Sequence, residues 1–207
     1  MSAPVIGFPQ KPISATCTNQ PPVKQPNKAS RVREYLTPAE VEKMMNAARK
    51  VGGRMANRDA LLIIEAARHG FRAAELVALR WEQFDFAAGT LHVERVKGGS
   101  ASTHYLQGPE LRALKAWRRQ QGESAFVFTA LSGKPMTTRT MHHVVAEAGK
   151  AAGIPFPVHP HCLRHACGYR LANEGRATLD IQGYLGHKNM RHTIGYTELG
   201  AARFKGF

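Results

Sequence analysis

From residue 35 onward the apolar positions fall mostly at helical spacing. In "TPAEVEKMMNAARK", Val41, Met44, Met45 and Ala48 recur every three or four residues and mark one face of a helix. Thr37 stands as its N-cap, Pro38 as its first residue and Glu40 three places on, which makes a capping box. "NRDALLIIEAARHG" predicts a second helix stopped by Gly70, and "AAELVALRW" a third close behind. The period then changes. "GTLHVERV" and "STHYLQ" read as two short strands of a hairpin joined around Lys97-Gly98-Gly99. Pro109 opens the helix "PELRALKAWRRQQ", and "AFVF" is a strand or a buried connector. A loop leads to a helix capped near Thr137 and ended by Gly153. Pro160 starts "HCLRHACGYRLANEG", and two shorter helices follow. There is no internal repeat. The expected fold class is mainly α with a small antiparallel β-sheet (α+β).

Residues 1–30 break this pattern. They carry six of the twelve prolines, no acidic residue, and only Lys11, Lys24 and Lys28 as charges. They read as a flexible, Pro-rich, weakly basic arm ahead of one domain at 31–207. The three cysteines, Cys17, Cys162 and Cys167, form no disulfide framework, which fits a reduced, cytoplasmic setting. No stretch approaches the ~18 apolar residues of a membrane helix, and no secretory h-region opens the chain.

Charge narrows the partners. With 29 Lys+Arg against 15 Asp+Glu the net charge is +14. The basic residues are spread through the domain, as suits a broad face for a phosphate backbone. Nucleic acid is the first expectation and an anionic membrane surface the second.

The candidate chemistry clusters late in the chain. His161 and Arg164 are one helical turn apart and share a face, while Leu163, Ala166, Cys167 and Leu171 form an inward stripe. An Arg fork binds two phosphate oxygens, and an imidazole beside it moves a proton near neutrality. His161 and His165 have the i,i+4 spacing of zinc-binding helices, but Cys162 stands where a zincin has Glu, so no metal is expected. Arg72, one turn before Glu75, is either a surface ion pair or a second guanidinium aimed into the same cleft. Lys97 lies in the hairpin loop with no acidic neighbour.

Taken together, these residues resemble the tyrosine recombinases, the phage-integrase-type site-specific recombinases. The box T-G-L-R-x-x-E-L-x-x-L-x-W is met by His69-Gly70-Phe71-Arg72-Ala73-Ala74-Glu75-Leu76, continuing to Leu79 and Trp81. H-x-L-R-H is His161 to His165, L-G-H is Leu185 to His187, and T-x-x-Y is Thr193 to Tyr196. The similarity spans residues 35 to 204 and is strongest to the short fimbrial phase-variation branch, which inverts a promoter segment.

The resemblance implies a tyrosine-recombinase catalytic domain; the separate core-binding domain that most relatives carry is not expected from the thirty Pro-rich residues ahead of it. It implies Tyr196 as the nucleophile that forms a 3′-phosphotyrosine bond, later attacked by the 5′-hydroxyl of the partner strand. Arg72 and Arg164 would hold the phosphate, with His187 adding a hydrogen bond. His161 would take the phenol proton, Lys97 would protonate the leaving 5′-oxygen, and Glu75 would position the cluster. Gly195 would let the backbone at Tyr196 adapt. Lys134, Arg139, His142 and His143 would touch DNA. No cofactor is required. The implied partners are double-stranded DNA with paired recombination sites, a tetramer on that DNA, and an accessory DNA-bending protein. The implied location is cytoplasmic, with the nucleoid. Inversion of a DNA segment is the leading expectation. A compact integrase or excisionase of a mobile element and a non-catalytic DNA-binding regulator are the alternatives.

Overall fold

One helix, buried on almost every side, organises the domain. The computed structural model describes residues 35–96 and 99–198, so Lys97 and the residue 1–30 arm lie outside the described residues. Helix α1 spans Pro38–Val51 and α2 spans Ala56–His69. The Thr37–Glu40 capping box is present, with Thr37 N–H donating to Glu40 Oε2 at 2.8 Å. Helix α2 contributes Leu61, Leu62, Ile63 and Ala66 to the core and packs against α1 and against three later helices. Being surrounded, it also buries Arg58, Asp59, Glu65 and His69, and such groups need partners inside the protein. Arg58 finds Asp59 and the Thr129 carbonyl, each at 2.8 Å.

Gly70 ends α2 in the left-handed region at φ 62°. The third helix, α3, is only Ala73–Val77, shorter than its apolar pattern suggests. Its continuation is drawn off by tertiary pairing: Val127 N–H donates to the Leu79 carbonyl at 2.9 Å, and Trp81 N–H to Ala125 at 3.0 Å. "AFVF" is therefore a buried connector, bridged at Phe126 to Arg80.

The hairpin belongs to a three-stranded antiparallel sheet, β1 (Phe84–Asp85), β2 (Thr90–Val93) and β3 (Ser102–Tyr105), in that order. Leu91 pairs with His104 on the inner face. Helices α4 (Gly108–Gln121), α5 (Thr138–Ala151), α6 (Pro160–Asn173), α7 (Thr178–Leu185) and α8 (Arg191–Glu198) follow where the sequence places them. Among the described residues no helix is long and apolar enough to cross a membrane. Cys162 and Cys167 are buried free thiols.

Gly70 carries two constraints at once. Its φ suits only glycine, and a Cβ there would strike Leu185 Cδ2 and come within 3.3 Å of Cys167 Sγ. Gly70→Ala should lower the unfolding free energy by about 1–3 kcal/mol, seen as a reduced urea midpoint with unchanged slope.

Candidate active site

The site is built around one buried carboxylate. Arg72 is the N-cap of α3, and Glu75 reaches back to it. Arg72 N–H donates to Glu75 Oε2 at 2.9 Å, and its Nη1 to Oε1 at 2.7 Å. Arg95 Nη1 donates to Oε2 at 3.0 Å, and Val96 N–H to Oε1 at 3.3 Å. The Glu75 side chain is fully buried, whereas Arg72 keeps 33% of its side chain exposed. Burial alone would raise the Glu75 pKa. The Arg72 backbone bond and the Arg95 charge outweigh it and hold the carboxyl below its ordinary value.

Arg164 is the third guanidinium of the cluster, 3.9 Å from Glu75 Oε2. It does not lie open on a shared face with His161, as the helical spacing suggests. It is buried at 1% exposure, donating from Nη1 to the Gly70 carbonyl and from Nη2 to the Leu185 carbonyl at 2.7 Å. Burial, then the charges of Arg72 and Arg95, lower its pKa to about 10, so it stays charged at neutral pH. Two of its five N–H donors are held by carbonyls, which fixes the plane of the remaining three. Three guanidiniums thus share one carboxylate, and the excess positive charge makes this pocket complementary to an anion.

Arg95 was not singled out from the sequence. It donates to the carbonyls of His69 at 3.0 Å and Tyr184 at 2.6 Å as well as to Glu75. The signal was present: in "TLHVERV" the two-residue period puts Arg95 on the inward face with Leu91 and Val93. Arg95 also explains the glycine of L-G-H. Gly186 has φ +63°, and a Cβ there would fall 2.6 Å from Arg95 Cγ.

Tyr196 lies on α8 with 5% exposure. Its hydroxyl is 2.8 Å from His165 Nδ1, so the phenol's imidazole partner is His165 rather than His161. His161 is exposed one turn earlier on α6, its ring 4.3 Å from that of His165. Tyr169 meets the Tyr196 ring edge-on at 5.1 Å and His187 stacks at 6.2 Å. Gly168 admits the ring, since a Cβ there would fall 2.6 Å from Tyr196 Cε2. Burial pushes the phenol pKa up to about 12, against a lowering pull from Arg164. Gly195 is not a special backbone position: it sits inside α8, without positive φ and with open space around it.

His187 Nδ1 is 2.9 Å from the buried Thr193 hydroxyl. This contact ties the L-G-H segment to the start of α8. A hydroxyl donating to Nδ1 places the ring proton on Nε2, the tautomer that can donate onward. Arg139, His142 and His143 are exposed on α5, and Lys134 is exposed in the turn before it. The geometry therefore joins Arg72, Glu75, Arg164, His187 and Tyr196 through shared partners or ring contacts. It adds Arg95 and His165, and leaves the four α5-region residues as surface cations and imidazoles.

Three histidines are kept neutral by burial first and neighbouring positive groups second. His187 and His104 fall to about 3 and His165 to about 4, from an ordinary 6.5. The unfolded chain takes up protons at these residues near pH 6.5, and the folded chain only far below. Their contribution to stability is complete above pH 6.5 and is lost as pH falls toward 4. Urea unfolding at pH 7.5, 6 and 5 should show falling stability, with a shallower fall in His187→Asn.

Comparison with known proteins accords with this geometry. The model of the phage integrase family matches residues 34–203. The type 1 fimbriae regulatory protein FimB of Escherichia coli K12 is 40% identical over 186 residues, covering 87% of this chain and 92% of FimB. FimE of the same strain is 38% identical over 180 residues, covering 84% and 90%. The XerH site-specific recombinase, solved bound to palindromic difH substrate, superposes with a TM-score of 0.73 at 22% identity, covering 93% of this chain and 57% of XerH. That likeness identifies the fold as the recombinase catalytic domain.

Proposed function

The chain belongs to the phage integrase family, and we propose that it is a site-specific DNA recombinase with Tyr196 as its nucleophile. The observation that supports this most is the pairing of an electropositive pocket with a phenol. Arg72, Arg95 and Arg164 gather on Glu75, and the Tyr196 hydroxyl sits within electrostatic reach of Arg164.

The chemistry follows from these groups. The Tyr196 oxygen attacks the scissile phosphorus and its proton passes to an imidazole. The bond to the 5′-oxygen breaks, that oxygen takes up a proton, and the 3′-phosphate remains on the tyrosine. The 5′-hydroxyl of a partner strand then attacks, releasing the phenol. The phosphodiester count is unchanged. In the resting conformation His165 is placed to receive the phenol proton, with His161 beside it to pass the proton to solvent or to act directly once DNA shifts α8. Arg72 and Arg164 bind the non-bridging oxygens, where charge accumulates in the transition state, and His187 donates a further bond. Arg95 holds Glu75 and three carbonyls, and so fixes the pocket without touching phosphate. Lys97 supplies the proton to the leaving 5′-oxygen.

The net charge of +14 favours duplex DNA as substrate. Lys134, Arg139, His142 and His143 contribute contacts outside the cleavage pocket. Similarity to FimB and FimE favours inversion of a DNA segment between paired sites; on this reading a tetramer assembles on the DNA with an accessory bending protein. A DNA substrate would place the protein in the cytoplasm, with the nucleoid.

Incubation with nicked duplexes from the DNA flanking its own gene, followed by a denaturing gel, tests the reaction. A slow covalent band that disappears in Tyr196→Phe is expected. A band that persists in Tyr196→Phe would reassign the nucleophile. Gly168→Ala displaces the Tyr196 ring without touching the arginines. It should lower covalent yield at least ~10-fold, about 1.4 kcal/mol in the barrier, while native-gel DNA affinity stays unchanged.

A further inference from the structure

Behind the arginine pocket, at the end of α2, lies a second polar cluster that the recombination chemistry does not use. Among the described residues, Glu65, His69 and Glu110 are the one group of three such side chains whose ligand atoms lie within 4.8 Å of one another, and all three are buried. His69 Nε2 is 2.6 Å from Glu110 Oε1 and 3.7 Å from Glu65 Oε2. Tetrahedral zinc with bonds of ~2.0–2.2 Å separates its ligand atoms by ~3.3–3.6 Å, so small side-chain adjustments would suffice. The Glu65 side chain has no exposed surface, and neither of its oxygens has a hydrogen-bond donor in the protein. A buried carboxyl so placed must carry a proton or meet a cation.

We propose that Glu65, His69 and Glu110 bind one divalent transition-metal ion of the zinc class. The mixed imidazole and carboxylate donors suit such an ion better than Ca²⁺ or Mg²⁺, which take oxygen alone. The surrounding shell is built as metal-bound histidines require. His69 Nδ1 faces His104 Nδ1 at 2.9 Å, and His104 Nε2 faces the Ser102 hydroxyl at 2.9 Å. Glu110 Oε2 accepts from Arg68 Nη1 and Gln107 N–H at 3.1 Å each, while Oε1 meets His69 Nε2 at 2.6 Å, a hydrogen bond that the ion would replace. A cleft of about 810 Å³ is lined in part by His69 and Glu110, and Glu65 lies behind them. The ion ties α2 to α4. It also braces the His69 carbonyl that Arg95 uses, so it stiffens the arginine pocket from behind and takes no part in phosphate chemistry.

The test uses the full chain, stripped with chelator, dialysed and titrated with Zn²⁺, Co²⁺ and Mg²⁺. Expected are one Zn²⁺ retained per chain, a melting temperature raised by at least ~4 °C, visible bands of four- or five-coordinate Co²⁺, and no response to Mg²⁺. Glu65→Gln keeps the shape of a neutral carboxyl and should lose metal binding while melting near the metal-free wild type. Co²⁺ spectra of the wild type decide between binding and none even if that variant fails to fold. No retained metal, or equal binding by Glu65→Gln through surface histidines, would overturn the proposal.

Discussion

The Glu75 carboxylate is the interaction on which the rest of the site depends. It is buried among three guanidiniums and binds two of them directly. Burying one carboxylate costs several kcal/mol, and so does burying Arg95 or Arg164. Each is tolerable only because the others are present and because backbone carbonyls accept from several of the remaining donors. Removing Glu75 would leave adjacent positive charges at close range in a low-dielectric pocket. The domain therefore carries a local excess of positive charge whose natural complement is a phosphate.

The carbonyls that hold these arginines come from element ends, not element middles. Arg164 and Arg95 draw on Gly70 and His69 at the end of α2 and on Leu185 and Tyr184 at the end of α7. Helix C-termini present carbonyls without intrahelical partners. Both helices stop at a glycine with positive φ, Gly70 and Gly186. The fold thus turns two unsatisfied helix ends into a socket for two cations, and the left-handed glycines aim the carbonyls inward.

The phenol sits in a buried, largely aromatic setting within reach of the Arg164 charge. Tyr196 lies against Gly168, Tyr169 and His165, and burial raises its phenol pKa by more than the Arg164 charge lowers it. The Thr193–His187 contact ties α8 to the L-G-H segment.

Much of this was written in local pattern. Apolar spacing, the Thr37–Glu40 box, Pro109, Pro160 and the two glycine stops determine the helices, because each acts within a few residues of itself. The R-x-x-E and H-x-x-R spacings likewise place Arg72 on Glu75 and Arg164 on α6. What the chain alone could not decide was long-range. The third helix stops at Val77 because "AFVF", some fifty residues on, captures Leu79 and Trp81. His165 rather than His161 meets the phenol because the approach of α8 to α6 selects one rung of the helix. Arg95 could be read as inward-facing, but its four acceptors come from three separate segments. Sequence period fixes which face a residue takes; only the packing of distant elements fixes what that face meets.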